Sequence, residues 1–354
     1  MATEGDIAPA ALPQILFVMG KGGVGRSSLA GALAMMFAGR GERVLIMEWT
    51  VAEAFAAWFG LPPMEEERGG DWKWMPRPRE IAPRVSVFNY RLQEALRGYF
   101  VDHLGLDFFY SRVVDGPHLR RLVEAAPGIA EMMFVGQLWW MVELASNEAG
   151  LSFDRIVVDA PATGHGASLL DLPSTLSTIG ATGLLALEVK RLVKMMADPA
   201  RVGAVVVSLA EELSLEETLE LVPRMTRDLG RPPLAAFVNR SVAGLVRPGG
   251  GPVLAGRALS PATRAGLDTV HAELQARVRL EAELRRQLAG LTSLGVFSLT
   301  EQLAVRGDTR PRDVIQALAG EVAVHLRASA ARPAGETAAV RGLAGSPLAE
   351  SGLP

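Results

Sequence analysis

Residues 20–28 read Gly-Lys-Gly-Gly-Val-Gly-Arg-Ser-Ser, which places four residues between Gly20 and Gly25 and follows them with a cation, Arg26, and a hydroxyl, Ser27. Glycines let backbone amides turn toward phosphate oxygens, and a helix that begins there adds its partial positive charge. In this reading Lys21, Gly22, Gly23 and Val24 line the cradle, Arg26 reaches the terminal phosphates, and Ser27, followed by Ser28, places its hydroxyl on a magnesium ion. Such loops normally carry lysine where this chain has Arg26. Arginine keeps the charge but is larger and planar. A glycine-rich turn without a ligand is the alternative reading.

A cradle of this kind needs a buried strand before it and a helix after it. The run ILFVM at 15–19 supplies the first, and LAGALAMMFAG from Leu29 supplies the second. Similar continuous apolar runs recur at 43–48, 154–160, 202–208, 234–239 and 294–299. Continuous rather than alternating apolar strands point to burial on both faces. Separated by helical patterns, they predict an α/β fold with a doubly wound, mostly parallel sheet. Two strand ends place further chemistry beside the loop: Glu48 ends the second run and Asp159 the third. Ligands of open α/β sheets bind at such carboxyl ends. A helix cap is the plainer role for Asp159.

About a hundred residues between the second and third runs are too many for one crossover. An inserted helical subdomain is expected over about 62–148, with an irregular start over 62–84 and helices broken near Gly105, Gly116 and Pro127. A smaller helical insertion is expected over 257–292. The ends are expected to be disordered: 1–12, and 329–354, which is rich in Ala, Gly and Pro with few large apolar residues. The domain proper is then 13–328.

Composition excludes several classes. The 354 residues contain no cysteine, which removes disulfides, thiol catalysis, cysteine-held zinc and iron–sulfur clusters. A net charge of -3 provides no general field for nucleic acid. The apolar window at 172–187 holds Pro, Gly and hydroxyls, and falls short of the roughly 20 apolar residues a membrane span needs. The first residues show no charged segment followed by an apolar run, so a cytoplasmic location without a secretory signal is expected.

Lys21 directly after the first glycine, in KGGVG followed by a cation, resembles the deviant phosphate loop of one P-loop NTPase family. That family includes the MinD and ParA partition ATPases, the arsenite-transport ATPase ArsA and the eukaryotic ATPase that targets tail-anchored membrane proteins. FDRIVVDAPATGHGASLLDLPSTL at 153–176 is similar to the second switch of the ArsA and tail-anchored-targeting branch. PGIAEMMFVGQL from 127, VVVSLAEELSLEETLELV from 205 and AFVNR ending near Asn239 extend the likeness over most of the chain. The resemblance implies a bacterial ArsA-like P-loop ATPase that binds ATP and Mg2+. Lys21 would cross a dimer interface to the partner's phosphates, and Asp159 would hold the metal through water. His165 would be a switch residue, with a neutral core histidine as the rival reading. Asn239 would read the adenine ring, with a turn-forming asparagine as the rival.

The likeness also breaks. The first switch of the family carries an aspartate that orients the attacking water, but the matching position here is Thr50, and the usual Asp-Pro-Ala stretch is missing. A hydroxyl cannot replace a carboxylate in that task at neutral pH. Together with Arg26, this implies impaired hydrolysis, with Glu48 as the remaining carboxylate near the metal. Without cysteine, metalloid transport and an interprotomer zinc are not expected.

The expectation is therefore a nucleotide-dependent dimer switch, homodimeric or paired with an ArsA-like paralogue. The alternative is a non-hydrolysing regulatory or scaffold subunit. Met132, Met133, Phe134, Trp139, Trp140, Met141, Met195 and Met196 could line a groove for an apolar protein client, or could be core. No nucleic-acid partner and no integral span are expected.

Overall fold

In the computed structural model the described residues are 12–49, 53–62, 77–98, 128–145, 150–161, 169, 183–246, 260–302 and 310–330. Strand β1 (Ile15–Met19) runs into the glycine loop and then into α1 (Arg26–Ala38). There follow β2 (Val44–Glu48), α2 (Ala54–Trp58), β3 (Arg79–Ala82), β4 (Val85–Asn89) and α3 (Leu92–Gly98). Next come α4 (Ile129–Glu143), β5 (Arg155–Asp159), α5 (Gly183–Ala197), β6 (Val202–Leu209) and α6 (Glu212–Leu229). The chain continues with β7 (Ala235–Ser241), α7 (Pro261–Leu288), β8 (Gly295–Thr300) and α8 (Pro311–Ala330).

The eight strands form one sheet in the order β3-β4-β2-β5-β1-β6-β7-β8. Every neighbouring pair is parallel except β3 with β4. From β1 the chain crosses to β2 on one side, skipping the place later filled by β5, and β6 then joins on the other side. The reversal sits at β1, where a doubly wound sheet opens a crevice for ligands. This α/β, mostly parallel architecture is the one the apolar runs predict, and each of the six runs is a strand.

Strand pleating explains why those runs are continuous. Ile15, Phe17 and Met19 face one core and Leu16 and Val18 the other, because successive side chains point to opposite faces. The first core contains α4, α5, α6 and the end of α7, and the second is closed by α1 and α8. Both faces are covered, so neither can afford the polar alternation of a one-sided sheet.

One expectation about the insertions changes. The stretch from about 62 to 148 is not helical throughout, because β3 and β4 lie within it and extend the sheet beyond β2. The reason lies in VSVFN: Val85 and Val87 pack on the α1 side while Phe88 packs on the α4 side, a period of two. The second insertion holds one long helix, α7, with Ser260 accepting from the Thr263 amide and Pro261 in the first turn. Helix α8 reaches Ala330, past the expected start of the tail at 329. Residues 331–354, 1–11, Gly105, Gly116 and Pro127 lie outside the described residues.

Helix α4 is apolar on nearly every side, and the fold uses it as core. Phe134, Leu138 and Met141 are fully enclosed, while Met132, Met133, Trp139 and Trp140 pack partly buried against them. Met195 and Met196 on α5 are buried too. Phe134 stacks on Trp49 with ring centroids 4.9 Å apart and meets Tyr90 edge-on at 4.9 Å. Trp49 follows Glu48, so this aromatic trio holds the end of β2 against α4. Phe134→Ala is expected to cost about 3 to 5 kcal/mol of unfolding free energy. A loss below about 1 kcal/mol in urea denaturation would show that the trio is not packed as described.

Candidate nucleotide site

The loop between β1 and α1 has a backbone that only glycine adopts comfortably at two decisive points. Gly20 has φ of 152°, and a Cβ there would lie 2.4 Å from the carbonyl oxygen of Val207 on β6. Gly25 has φ of 97°, and its Cβ would fall 2.1 Å from the amide nitrogen of Asn239. Helix α1 begins at Arg26 with no side-chain cap and no acidic residue in its first turn. Its first amides are therefore left for an anion. Gly22 and Gly23 are exposed, Val24 is buried, and Lys21, Ser27 and Ser28 are half-buried.

Three strand ends meet this loop. Asp159 ends β5, paired in register with Val18 of β1 and, on its other side, with Glu48 of β2. The Ser27 hydroxyl donates to Asp159 Oδ2 at 2.6 Å. Burial raises the Asp159 pKa, and the Ser27 hydrogen bond and the Arg26 charge partly offset the rise. The Arg26 guanidinium is itself pulled below its usual value by burial, with Asp159 acting against the fall. Its Nη1 is enclosed without a hydrogen-bond partner.

Glu48 is fully buried. Its Oε1 accepts from the Phe55 amide at 3.3 Å, and the Asn89 side chain at the end of β4 also hydrogen-bonds to it. The second oxygen, Oε2, has no partner. Burial pushes this carboxyl up to about 7, the Phe55 amide opposes that, and the neighbouring Asp159 charge adds to it. An enclosed cationic nitrogen and an enclosed carboxyl oxygen, both lacking partners, lie with the Ser27–Asp159 pair where a phosphate chain and a hydrated cation would complete them.

The remaining candidates take other positions. Lys21 Nζ lies 2.8 Å from Glu217 Oε1 on α6, a pair about one-third exposed. Asn239 is buried within β7, two residues before its end, and donates from Nδ2 to the Val24 carbonyl at 2.9 Å. It therefore touches the glycine loop directly. Thr50 and His165 lie outside the described residues. Reasoning from spacing missed Asn89 and Glu217. Asn89 sits in a stretch read as the start of a helical region, and its only signal was a polar residue closing VSVFN.

Residues 13–181 match the model of the ArsA ATPase family, described as anion-transporting ATPases. This segment is an ArsA-type ATPase domain. The chain is 28% identical over 335 residues to "ATPase BagA" of Mycobacterium tuberculosis, covering 82% of this chain and 92% of that protein. It is also 28% identical over 160 residues to "ATPase GET3C" of Arabidopsis thaliana, covering 44% and 40% of the two chains. With "ATPase ASNA1 homolog 1" of Paramecium tetraurelia it shares 28% over 163 residues, or 45% and 43%. The family implies nucleotide binding and an ATPase-type activity. Among the described residues, no helix is long and apolar enough to cross a membrane.

The buried Glu48 gives the ArsA-type site a pH signature. A carboxyl whose folded pKa lies above its unfolded value costs nothing in acid and costs progressively more as pH rises from about 4.5 to about 7. In the protein without nucleotide, Glu48→Gln is expected to be more stable than the natural sequence by about 3 kcal/mol above pH 7.5. The gain should shrink to nearly nothing at pH 4.5. Urea denaturation across that range checks this, and a difference independent of pH would remove burial as its cause.

Proposed function

We propose that this ArsA-type domain binds ATP with Mg2+ and uses it as a switch for dimer formation, hydrolysing it slowly. The carrying observation is the 2.6 Å contact between Ser27 and Asp159 beside the partnerless Arg26 Nη1 and Glu48 Oε2. Ser27 would take the metal directly and Asp159 through water, a hard-oxygen set suited to magnesium. When bound, that ion neutralises charge gathering on the terminal phosphate oxygens. Arg26 and the first amides of α1 hold the phosphates, and the loop from Gly20 to Gly25 supplies further backbone donors. Glu48 remains the carboxyl nearest the site for orienting water, with Asn89 and the Phe55 amide fixing it.

Asn239 is assigned to the base. One amide hydrogen is committed to the Val24 carbonyl. That bond fixes which end of the side chain is oxygen and leaves the second N–H and Oδ1 for a base edge. Adenine offers a donor and an acceptor that match them, whereas guanine presents O6 to an oxygen.

Slow hydrolysis is supported by Arg26 in place of the usual lysine and by Thr50 in place of an aspartate. The guanidinium binds phosphate well but is less able to act as a compact charge on the transferring group. Lys21, paired with Glu217 in the single chain, is the residue proposed to reach a partner's phosphates. The partner is a second copy or an ArsA-like paralogue. The Met- and Trp-rich residues of α4 and α5 are taken up by the core, so they lend no support to a client groove.

Arg26→Lys is expected to raise the single-turnover hydrolysis rate at least about tenfold while ATP affinity stays within roughly threefold. An unchanged rate would place the defect at the first switch instead. Lys21→Ala should abolish ATP-dependent dimers in light scattering yet retain ATP binding by isothermal titration. If the natural chain gives no heat with ATP and Mg2+, the scaffold reading replaces this one.

A further inference from the structure

We propose that Glu281 and Arg277 of α7 are positioning residues for base selection, acting on Asn239 through a bulge in β7. This rests on the assignment of Asn239 to the base. The bulge is visible in the register: Val238 pairs with Ser298 and Ser241 with Thr300, so Asn239 and Arg240 together oppose Leu299. Two residues against one bend a strand and re-aim its side chains, and such bulges are uncommon between parallel strands. Arg240 has φ of 53°, a left-handed conformation that a long side chain rarely adopts and that its surroundings must enforce.

The enforcing contacts come from one face of α7. Arg277 and Glu281 are four residues apart, one turn of helix. The Arg277 guanidinium donates to the Arg240 carbonyl at 2.7 Å and to Glu301 Oε2 at 2.9 Å. Glu281 is buried and accepts from the Ser241 hydroxyl at 2.6 Å on one oxygen and from the Ser298 hydroxyl on the other. The Ser298 hydroxyl in turn accepts from Arg285 at 2.9 Å. Thus the carbonyl after Asn239 and the side chain two residues on are both held by α7. Ser241 and Ser298 lie on the two strands that the bulge sets out of step.

The consequence falls on a single amide. With the bulge fixed, Asn239 Nδ2 stays on the Val24 carbonyl, and Oδ1 stays turned to meet an amino group. If the bulge relaxes, Asn239 leaves the Val24 carbonyl or inverts, and adenine loses its advantage over guanine. Because Asn239 also holds the Val24 carbonyl of the loop, any loosening of the phosphate grip would weaken ATP and GTP alike. A positioning role therefore changes the ratio of ATP to GTP affinity, whereas a purely structural role lowers both together.

The test uses the full chain with Mg2+ and measures ATP and GTP binding by isothermal titration. Ser241→Ala and Glu281→Ala should each weaken ATP about five- to tenfold, the worth of roughly one hydrogen bond, and leave GTP within about twofold. Glu281→Gln should retain the preference, because serine hydroxyls can donate to or accept from a carboxamide. Combining Ser241→Ala with Asn239→Ala should add nothing to Asn239→Ala alone. Equal losses for ATP and GTP in Ser241→Ala would overturn the proposal. Should Glu281→Ala fail to fold, Arg277→Ala, at a half-exposed side chain, decides in the same way. An unchanged ATP to GTP ratio in Asn239→Ala would instead remove the base assignment, and this proposal with it.

Discussion

The hydrogen bond from Ser27 to Asp159 joins the first turn of α1 to the end of β5, across the sheet position where strand order reverses. It requires β1 and β5 to be neighbours in the register that sets Val18 beside Asp159. That register in turn depends on two apolar cores that leave each strand one way to face. A shift of one residue would exchange the faces of β5 and carry its carboxylate away from the loop. The chemistry at the strand ends is thus fixed by the packing beneath it, and the polar groups contribute precision rather than most of the stability.

The site also concentrates groups that are unfavourable in isolation. Glu48 and Asp159 are buried and Arg26 half-buried, with fewer partners than their charges call for, and the pKa values of all three move toward the neutral forms. Burying such groups costs stability unless a ligand supplies the missing bonds. An anionic phosphate chain and a divalent cation are the complementary charges. Binding would then gain from interactions for which folding has already prepared the ground.

Much of this was legible in the sequence because the relevant signals are local. The spacing of Gly20 and Gly25, the strand before them and the helix after them identify the loop, and the six apolar runs identify six strands. Glu48 and Asp159 could be read as strand-end carboxylates. What escaped depends on contacts between distant segments. Strands β3 and β4 were hidden because a four-residue edge strand and a five-residue strand beside it carry too short a pattern to outweigh the helical stretches around them. Asn89 reaches Glu48 only because β4 lies beside β2, and Glu217 reaches Lys21 only because α6 packs near the loop. The β7 bulge leaves no mark in AFVNRS, since a left-handed arginine is selected by its surroundings and not by its own preference.

The far side of the sheet has a different importance. Its edge strand β3 is four residues long, antiparallel, irregular between Glu80 and Ala82, and bears Arg79 and Glu80. Short, charged and interrupted edges resist being extended by a neighbouring molecule's backbone. Open-ended stacking of sheets through this margin is therefore discouraged, and copies of the chain that meet in solution are steered away from fibre-like growth.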